Sequence, residues 1–298
     1  MEKLPATTAS PSPDTAHDLS EVVYTPDSEL LAPAALVRGM MHDLWNGRAL
    51  AWELFLRDIR GQFRQSLLGS LWLVIPSLVS MAVWTFLTMQ GVLSVRDTGV
   101  PYPVFVLTGL VLWDTFVAAL HMPLGAVGGA MGLLTKIRFP REALLLAGLA
   151  HVLFNTAIKL CLLAAVMAWF GVGGLTSLAG IPLLLLLVVG LGVAVGLALV
   201  PPGLLYHDVG RALGAITGVW FFLTPVVYPP PQVGVARWLI WANPVAVAIT
   251  TTREALLCQP LSVPWLATLV AAVSVLVLLG AWVMFRVAMP HLIARSSA

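Results

Sequence analysis

Apolar stretches of about 20 residues recur along this chain, the length a helix needs to cross a hydrocarbon core about 30 Å thick. They fall at residues 67–90, 103–122, 143–170, 178–200, 212–228 and 265–287. In lipid every backbone N–H and C=O must be satisfied internally, so such a chain is held to helices. The expectation is an all-α membrane protein with six transmembrane helices, over a membrane domain at 67–290. Composition agrees: charged residues make up 10% of the chain, against roughly 25% in soluble globular proteins. A formal net charge of +2 gives no reason to expect nucleic acid as a partner. The fifth stretch is the shortest and runs into "TPVVYPPP", where proline stops a helix and favours extended backbone.

Lys and Arg gather on alternate connections. With the N-terminus inside, the inner segments hold Arg38, Arg48, Arg57, Arg60, Arg64, Lys136, Arg138, Arg141, Arg211, Arg286 and Arg295 along with Lys3, and the outer ones only Arg96, Arg237 and Arg253. The positive-inside rule then puts both termini in the cytoplasm. Residues 1–34 are rich in Pro, Ser and Thr and have no apolar h-region, so they read as a poorly ordered cytoplasmic tail rather than a signal peptide. Residues 291–298 read as a second cytoplasmic tail. The outer segment 229–263 is apolar yet carries Arg237, Asn243, Arg253 and Glu254, and Pro244 breaks it. It reads as a pair of short re-entrant helices, with an amphipathic surface hairpin as the alternative.

Residues 35–66 read as an amphipathic interface helix region. At 100° per residue Trp52, Phe55, Leu56, Ile59 and Phe63 share one stripe. Arg57, Arg60 and Arg64 form a second stripe about 115° away, and Asp58, Gln62 and Gln65 take the third side. A helix of this pattern lies in the interface plane with its arginines at headgroup level, where guanidinium forks match phosphate oxygens. The arginines then either only anchor the helix, or receive an anionic headgroup or a cytoplasmic partner. The chain turns from lying on the membrane to crossing it near Ser66 to Gly69.

Two further groups of charge are informative. "LLTKIRFPREALLL" places Lys136, Arg138 and Arg141 between the second and third stretches. It reads as a short basic helix, either a docking ridge for a partner or a marker of topology. Asp114 and Lys159 lie near the middle of consecutive, antiparallel apolar stretches. Charge is costly there, so the two are expected to pair or to face one polar interior. A structural clamp is favoured over a proton relay, because a proton-coupled carrier uses more intramembrane acids. Gly192 and Gly196, and Gly210, Gly214 and Gly218, recur every four residues and mark close helix packing without naming the partner. Trp72, Trp84, Phe86, Trp220, Phe221 and Phe222 are either interfacial belt residues or the lining of a translocation path. Cys161, in an apolar run, reads as a small core residue.

Chemistry is sparse. No G-x-x-x-x-G-K-[ST] occurs, and "GLGVAVG" sits inside an apolar stretch with no preceding strand. No metal-ligand cluster or nucleophile motif is present, and Cys161 and Cys258 frame no disulfide scaffold. The chain is expected to have no catalytic residues, no metal and no bound cofactor of its own. Uphill transport would then draw on a partner or on an ion gradient.

"FLRDIRGQFRQSLLGSLWLVIPSL", "TKIRFPREALLLAGL", "YHDVGRALGAITGVWFFLTPVVYP" and "NPVAVAITTTREALL" together resemble the membrane-spanning subunit of ABC-2 type polysaccharide exporters, over about residues 45–290. The O-antigen and capsule export permeases are the nearest in pattern, with teichoic acid exporters as relatives. The resemblance implies a homodimer in the bacterial inner membrane, bound to two copies of a separate ABC ATPase that carries ATP and Mg. It implies a glycan cargo on an undecaprenyl pyrophosphate carrier. It places Arg57, Arg60 and Arg64 by the cargo headgroup, Lys136, Arg138 and Arg141 at the ATPase coupling helix, and 229–263 as the outer re-entrant pair. His207 in "YHDVG" stands where arginine is more frequent. An ABC-2 permease for a drug or another lipid, a proton-coupled carrier, and a scaffold without transport activity are the competing readings.

Overall fold

A computed structural model describes residues 33–64, 68–93, 95–134, 136, 140–173, 181–231 and 233–296. Its regular elements are all helices: α1 (Pro33–Asn46), α2 (Arg48–Phe63), α3 (Leu71–Met89), α4 (Tyr102–Leu134), α5 (Glu142–Trp169), α6 (Ile181–Ala198), α7 (Val200–Leu205), α8 (Asp208–Leu223), α9 (Val235–Trp241), α10 (Pro244–Leu256) and α11 (Pro264–Ser296). The chain divides into residues 1–40 and 41–298. Of the first part only the opening of α1 is described, so almost all of the expected tail lies outside the described residues. The rest of this section concerns 41–298.

Four helices, α3, α4, α5 and α11, are long and apolar enough to cross a membrane. With 18 residues in α6 and 16 in α8, those two reach about 27 and about 24 Å at 1.5 Å per residue. Six full-length spans are therefore not all present as single described helices. After Leu199, α6 is continued by α7, whose first turn tolerates Pro201 because the N–H lost there has no helical acceptor. α8 stops at Leu223 rather than running to 228. Thr224 precedes Pro225, which disfavours helical backbone, and Thr224 is extended (φ −110, ψ 133).

Other boundaries moved outward. α4 continues through Pro123 to Leu134, well past 122, because the stretch after Pro123 is apolar and buries Val127 and Leu134. The expected basic helix at 133–146 is thereby divided between the end of α4 and the start of α5. Between them Lys136, Pro140 and Arg141 are described, and Arg138 lies outside the described residues. α11 runs to Ser296, so most of the expected tail at 291–298 is helical. Cys161 is exposed on α5, not a core residue.

The chain enters α3 from a turn at 68–70. Gly69 has φ +51, a backbone region that only glycine enters without strain. The core is organised on α4. Every residue of 104–113 is buried, with α3, α5, α6, α8 and α10 packed around the helix. A helix apolar on all sides has no face to give to water, which is why this one is central. α6 reaches it through two glycines. A Cβ on Gly192 would stand 2.7 Å from the Ala119 side chain, and one on Gly196 would collide with the Leu120 carbonyl oxygen. The other glycine series behaves differently: nothing lies within 4 Å of a Cβ built on Gly214 or Gly218.

Gly196→Val should therefore destabilise the protein by about 1–3 kcal/mol through overpacking. Gly190→Val, in the same helix and with nothing within 4 Å, should change stability by less than about 0.5 kcal/mol. Denaturant unfolding of both variants in detergent micelles measures the difference.

Candidate functional site

α2 presents three faces. Ala51, Leu54 and Phe55 are buried and the helix packs on α5, with Phe55 edge-on to Phe154 at 6.0 Å between ring centroids. The buried face shares Phe55 with the apolar stripe expected from sequence, whose Leu56 and Ile59 are partly buried against the same cluster, and extends beyond it to Ala51 and Leu54. Trp52, expected in that stripe, is 57% exposed. The helix is thus held first by protein, through small and medium side chains that fit against α5. Its exposed Trp52 is free for another surface. Arg57 bonds Asp58 through Nε at 3.0 Å and Nη2 at 2.8 Å. Arg60 is exposed in the last turn of α2, and Arg64 is exposed as its C-cap.

Midway along the bundle, Lys159 Nζ on α5 donates to Asp114 Oδ2 on α4 at 2.8 Å. Ser77 on α3 donates to the same oxygen at 3.2 Å. One helical turn away the hydroxyls of Thr115 and Thr156 meet at 3.2 Å. Three helices are thereby joined through one carboxylate. The arrangement neutralises two charges and saturates one acceptor.

A second ionic site was not legible from sequence as a cluster. Arg286 on α11 donates to Asp43 Oδ2 on α1 at 2.9 Å and to Glu142 Oε1 at the start of α5 at 3.4 Å. The Glu142 side chain is 7% exposed and that of Arg286 16% exposed. Three segments far apart in sequence close on one guanidinium, whose fork can serve two carboxylates. From sequence, Arg286 reads only as a topological charge.

The third site follows α8. Residues 224–227 are buried but not helical, so their polar groups need side-chain partners. Arg253 Nη2 donates to the carbonyls of Pro225 at 2.8 Å and Val226 at 2.7 Å. Tyr102 donates to Val227 O at 3.0 Å. Asn243 donates to Thr224 Oγ1 at 3.1 Å, and its own oxygen accepts from Trp220 Nε1 at 3.2 Å while capping α10 through Val245 N at 3.1 Å. The Arg253 guanidinium lies 4.0 Å over the Phe105 ring. Gly109 makes room for it: a Cβ there would strike both the Val226 oxygen and Arg253 Nη2. Burial pushes the guanidinium down to about 9, against the nearby Glu254 and Tyr102, which favour its charge. It therefore stays protonated at neutral pH. From sequence, Arg253 reads as one of the few outer charges, within the pair of short re-entrant helices expected at 229–263. The sequence offers only a weak signal for it, a charge in an apolar outer segment with Glu254 beside it and three threonines before it.

The remaining expected residues separate by burial. Trp84, Trp220 and Phe221 are partly buried against the main core. Trp220 meets Phe116 and Phe221 meets Trp113, both edge-on at 5.6 Å. Trp72, Phe86 and Phe222 are exposed. Lys136 is exposed in the turn after α4, and Arg141 is the N-cap residue of α5.

Residues 49–257 match the protein family described as ABC-2 type transporter. An O-antigen export system permease protein RfbA of Myxococcus xanthus is 26% identical over 253 residues, covering 83% of this chain and 95% of that protein. An RfbA of Klebsiella pneumoniae is 25% identical over 75% of this chain and 86% of its own length. The polysialic acid transport protein KpsM of Escherichia coli is 24% identical over 68% of this chain and 80% of its own length.

The Asp114–Lys159 contact makes a cycle measurable. Lys159→Ala should destabilise more in the wild-type background than with Asp114→Asn, with a coupling of about 0.5–3 kcal/mol. Equal losses in the two backgrounds, read from unfolding in micelles, would show no coupling.

Proposed function

Since the chain belongs to the ABC-2 type transporter family, we propose that it is the membrane subunit of an exporter that moves a lipid-linked polysaccharide across the bacterial inner membrane. Its energy comes from a separate ATPase subunit, two copies of which bind a homodimer of this chain. The observation that carries the reading is the match to O-antigen export permeases along nearly their whole length. The sequence is consistent with a partner supplying the nucleotide chemistry, because it holds no Walker A pattern. The glycan rides on an undecaprenyl pyrophosphate carrier. Arg60 and Arg64, exposed at the end of α2, are positioned to meet anionic headgroups where that helix gives way to α3. Lys136, Arg138 and Arg141 form the contact with the ATPase. Asp114 and Lys159 hold helices together and carry no proton.

Two outcomes test this reading. Arg60→Ala combined with Arg64→Ala should lower export severalfold while membrane insertion is unchanged; full export would remove their headgroup role. Replacing Lys136, Arg138 and Arg141 by Ala should reduce recovery of the ATPase on co-purification, and undiminished recovery would remove the docking role. Export that continues without the ATPase would overturn the transporter assignment in favour of an ion-coupled carrier.

A further inference from the structure

Glu142 opens α5 directly after Arg141, at the end of the segment that includes Lys136. The last part of that segment is hydrogen-bonded into the helix. Ala143 N donates to Pro140 O at 3.2 Å, and Leu144 N donates to Arg141 O at 3.1 Å. Where Glu142 stands therefore sets where Pro140 and Arg141 stand. The junction of α1 and α2 lies against the same turn. Gly47 is buried, and a Cβ built on it would come within 3.3 Å of the Ala143 side chain. Apolar contacts hold the neighbourhood together: Phe55, Leu134, Ala143 and Phe285 belong to one buried cluster. Such contacts are non-directional, so they do not fix how α1 is set against α5.

The direction comes from Arg286. Its Nη1 donates both to Asp43 on α1 and to Glu142 on α5. Two carboxylates within reach of one nitrogen repel each other, and the cation between them keeps both in place. His42 comes only to 3.8 Å of Asp43, on an exposed side chain. Exposed ion pairs are worth little, but the Glu142 and Arg286 side chains are nearly buried. Removing one partner of a buried pair strands the charge of the other.

We propose that Arg286 is a positioning residue for the contact with the ATPase. It locks the segment at 136–141 to α1, so a displacement of that segment by the ATPase carries α1 and α2 with it. The proposal rests on the reading of that segment as the ATPase contact and adds the residue that couples hydrolysis to export.

The test uses the full-length chain with its ATPase, in membranes of a strain that makes the glycan. Hydrolysis is read as phosphate release and export as glycan at the cell surface. Arg286→Gln should leave ATPase recovery on co-purification and hydrolysis within about twofold of wild type, while export per ATP falls at least about fivefold, the low end of a typical coupling between sites. Arg286→Lys, whose ammonium can replace the nitrogen that meets both carboxylates, should restore the ratio. Asp43→Asn breaks only the link to α1, at a carboxylate 37% exposed. It should lower the ratio severalfold with hydrolysis kept, and it decides the matter if Arg286→Gln does not fold. An unchanged ratio in either variant, a lysine variant no better than glutamine, or hydrolysis and export falling in parallel overturns the proposal. An unchanged ratio together with lost ATPase recovery on replacing Lys136, Arg138 and Arg141 would overturn this inference alone. Undiminished recovery in that triple variant would overturn the reading of the segment, and the inference with it.

Discussion

Lipid tails are as apolar as leucine, so helices in a bilayer gain little from burying leucine against one another. What holds them is close approach and the closure of polar groups. Both converge on α4, whose residues 104–113 are all buried. α6 comes against it where Gly192 and Gly196 leave no room for a side chain. The buried turn at 224–227 comes against it where Gly109 does the same. α3 and α5 are tied to it through the Asp114 carboxylate. Without a helix that can be approached on every side, neither the α6 contact nor the seat of Arg253 would exist.

The protein handles buried charge in three ways. Asp114 and Lys159 neutralise each other, with Ser77 as a third member. Arg286 shares its charge between Asp43 and Glu142 and so joins α1, α5 and α11. Arg253 has no carboxylate on its guanidinium. It stabilises the carbonyls of a non-helical turn and rests on the face of Phe105. The first two arrangements set each charge against an opposite one. The third leaves two buried nitrogens of the guanidinium, Nε and Nη1, without a hydrogen-bond partner.

How far the chain could be read without coordinates depended on what set each feature. Asp114 and Lys159 were legible because a charge inside an apolar run is expensive and the two sit at similar depth on adjacent stretches. Arg253 reads as part of the outer re-entrant pair, but with Glu254 beside it no local pattern shows that it turns back onto the carbonyls of Pro225 and Val226. The packed face of α2 was legible only in part: Phe55, Leu56 and Ile59 of the expected stripe pack inward, and Trp52 does not. Periodicity located an apolar stripe, but Ala51 and Leu54 face α5, and helical phase alone carries no record of a neighbouring helix. The end of α4 lies well past 122 because packing of Val127 and Leu134 keeps the helix going, and a span length read from hydropathy carries no record of that packing.

The sequence alone determined that the chain is helical and apolar enough for a membrane, because unsatisfied backbone in hydrocarbon leaves no other spanning structure to a chain of such stretches. It also fixed where charge is scarce enough to be meaningful. Only the tertiary structure decided which glycines are contacts: Gly192 and Gly196 sit against α4, while Gly214 and Gly218, in the same four-residue spacing, have open space among the described residues where a side chain would stand. It alone brought Asp43, Glu142 and Arg286 onto one ion site and left two buried nitrogens of Arg253 without a hydrogen-bond partner. The physical reason is that local pattern records the period of a helix, whereas contact between distant segments depends on which faces the folded chain turns toward each other.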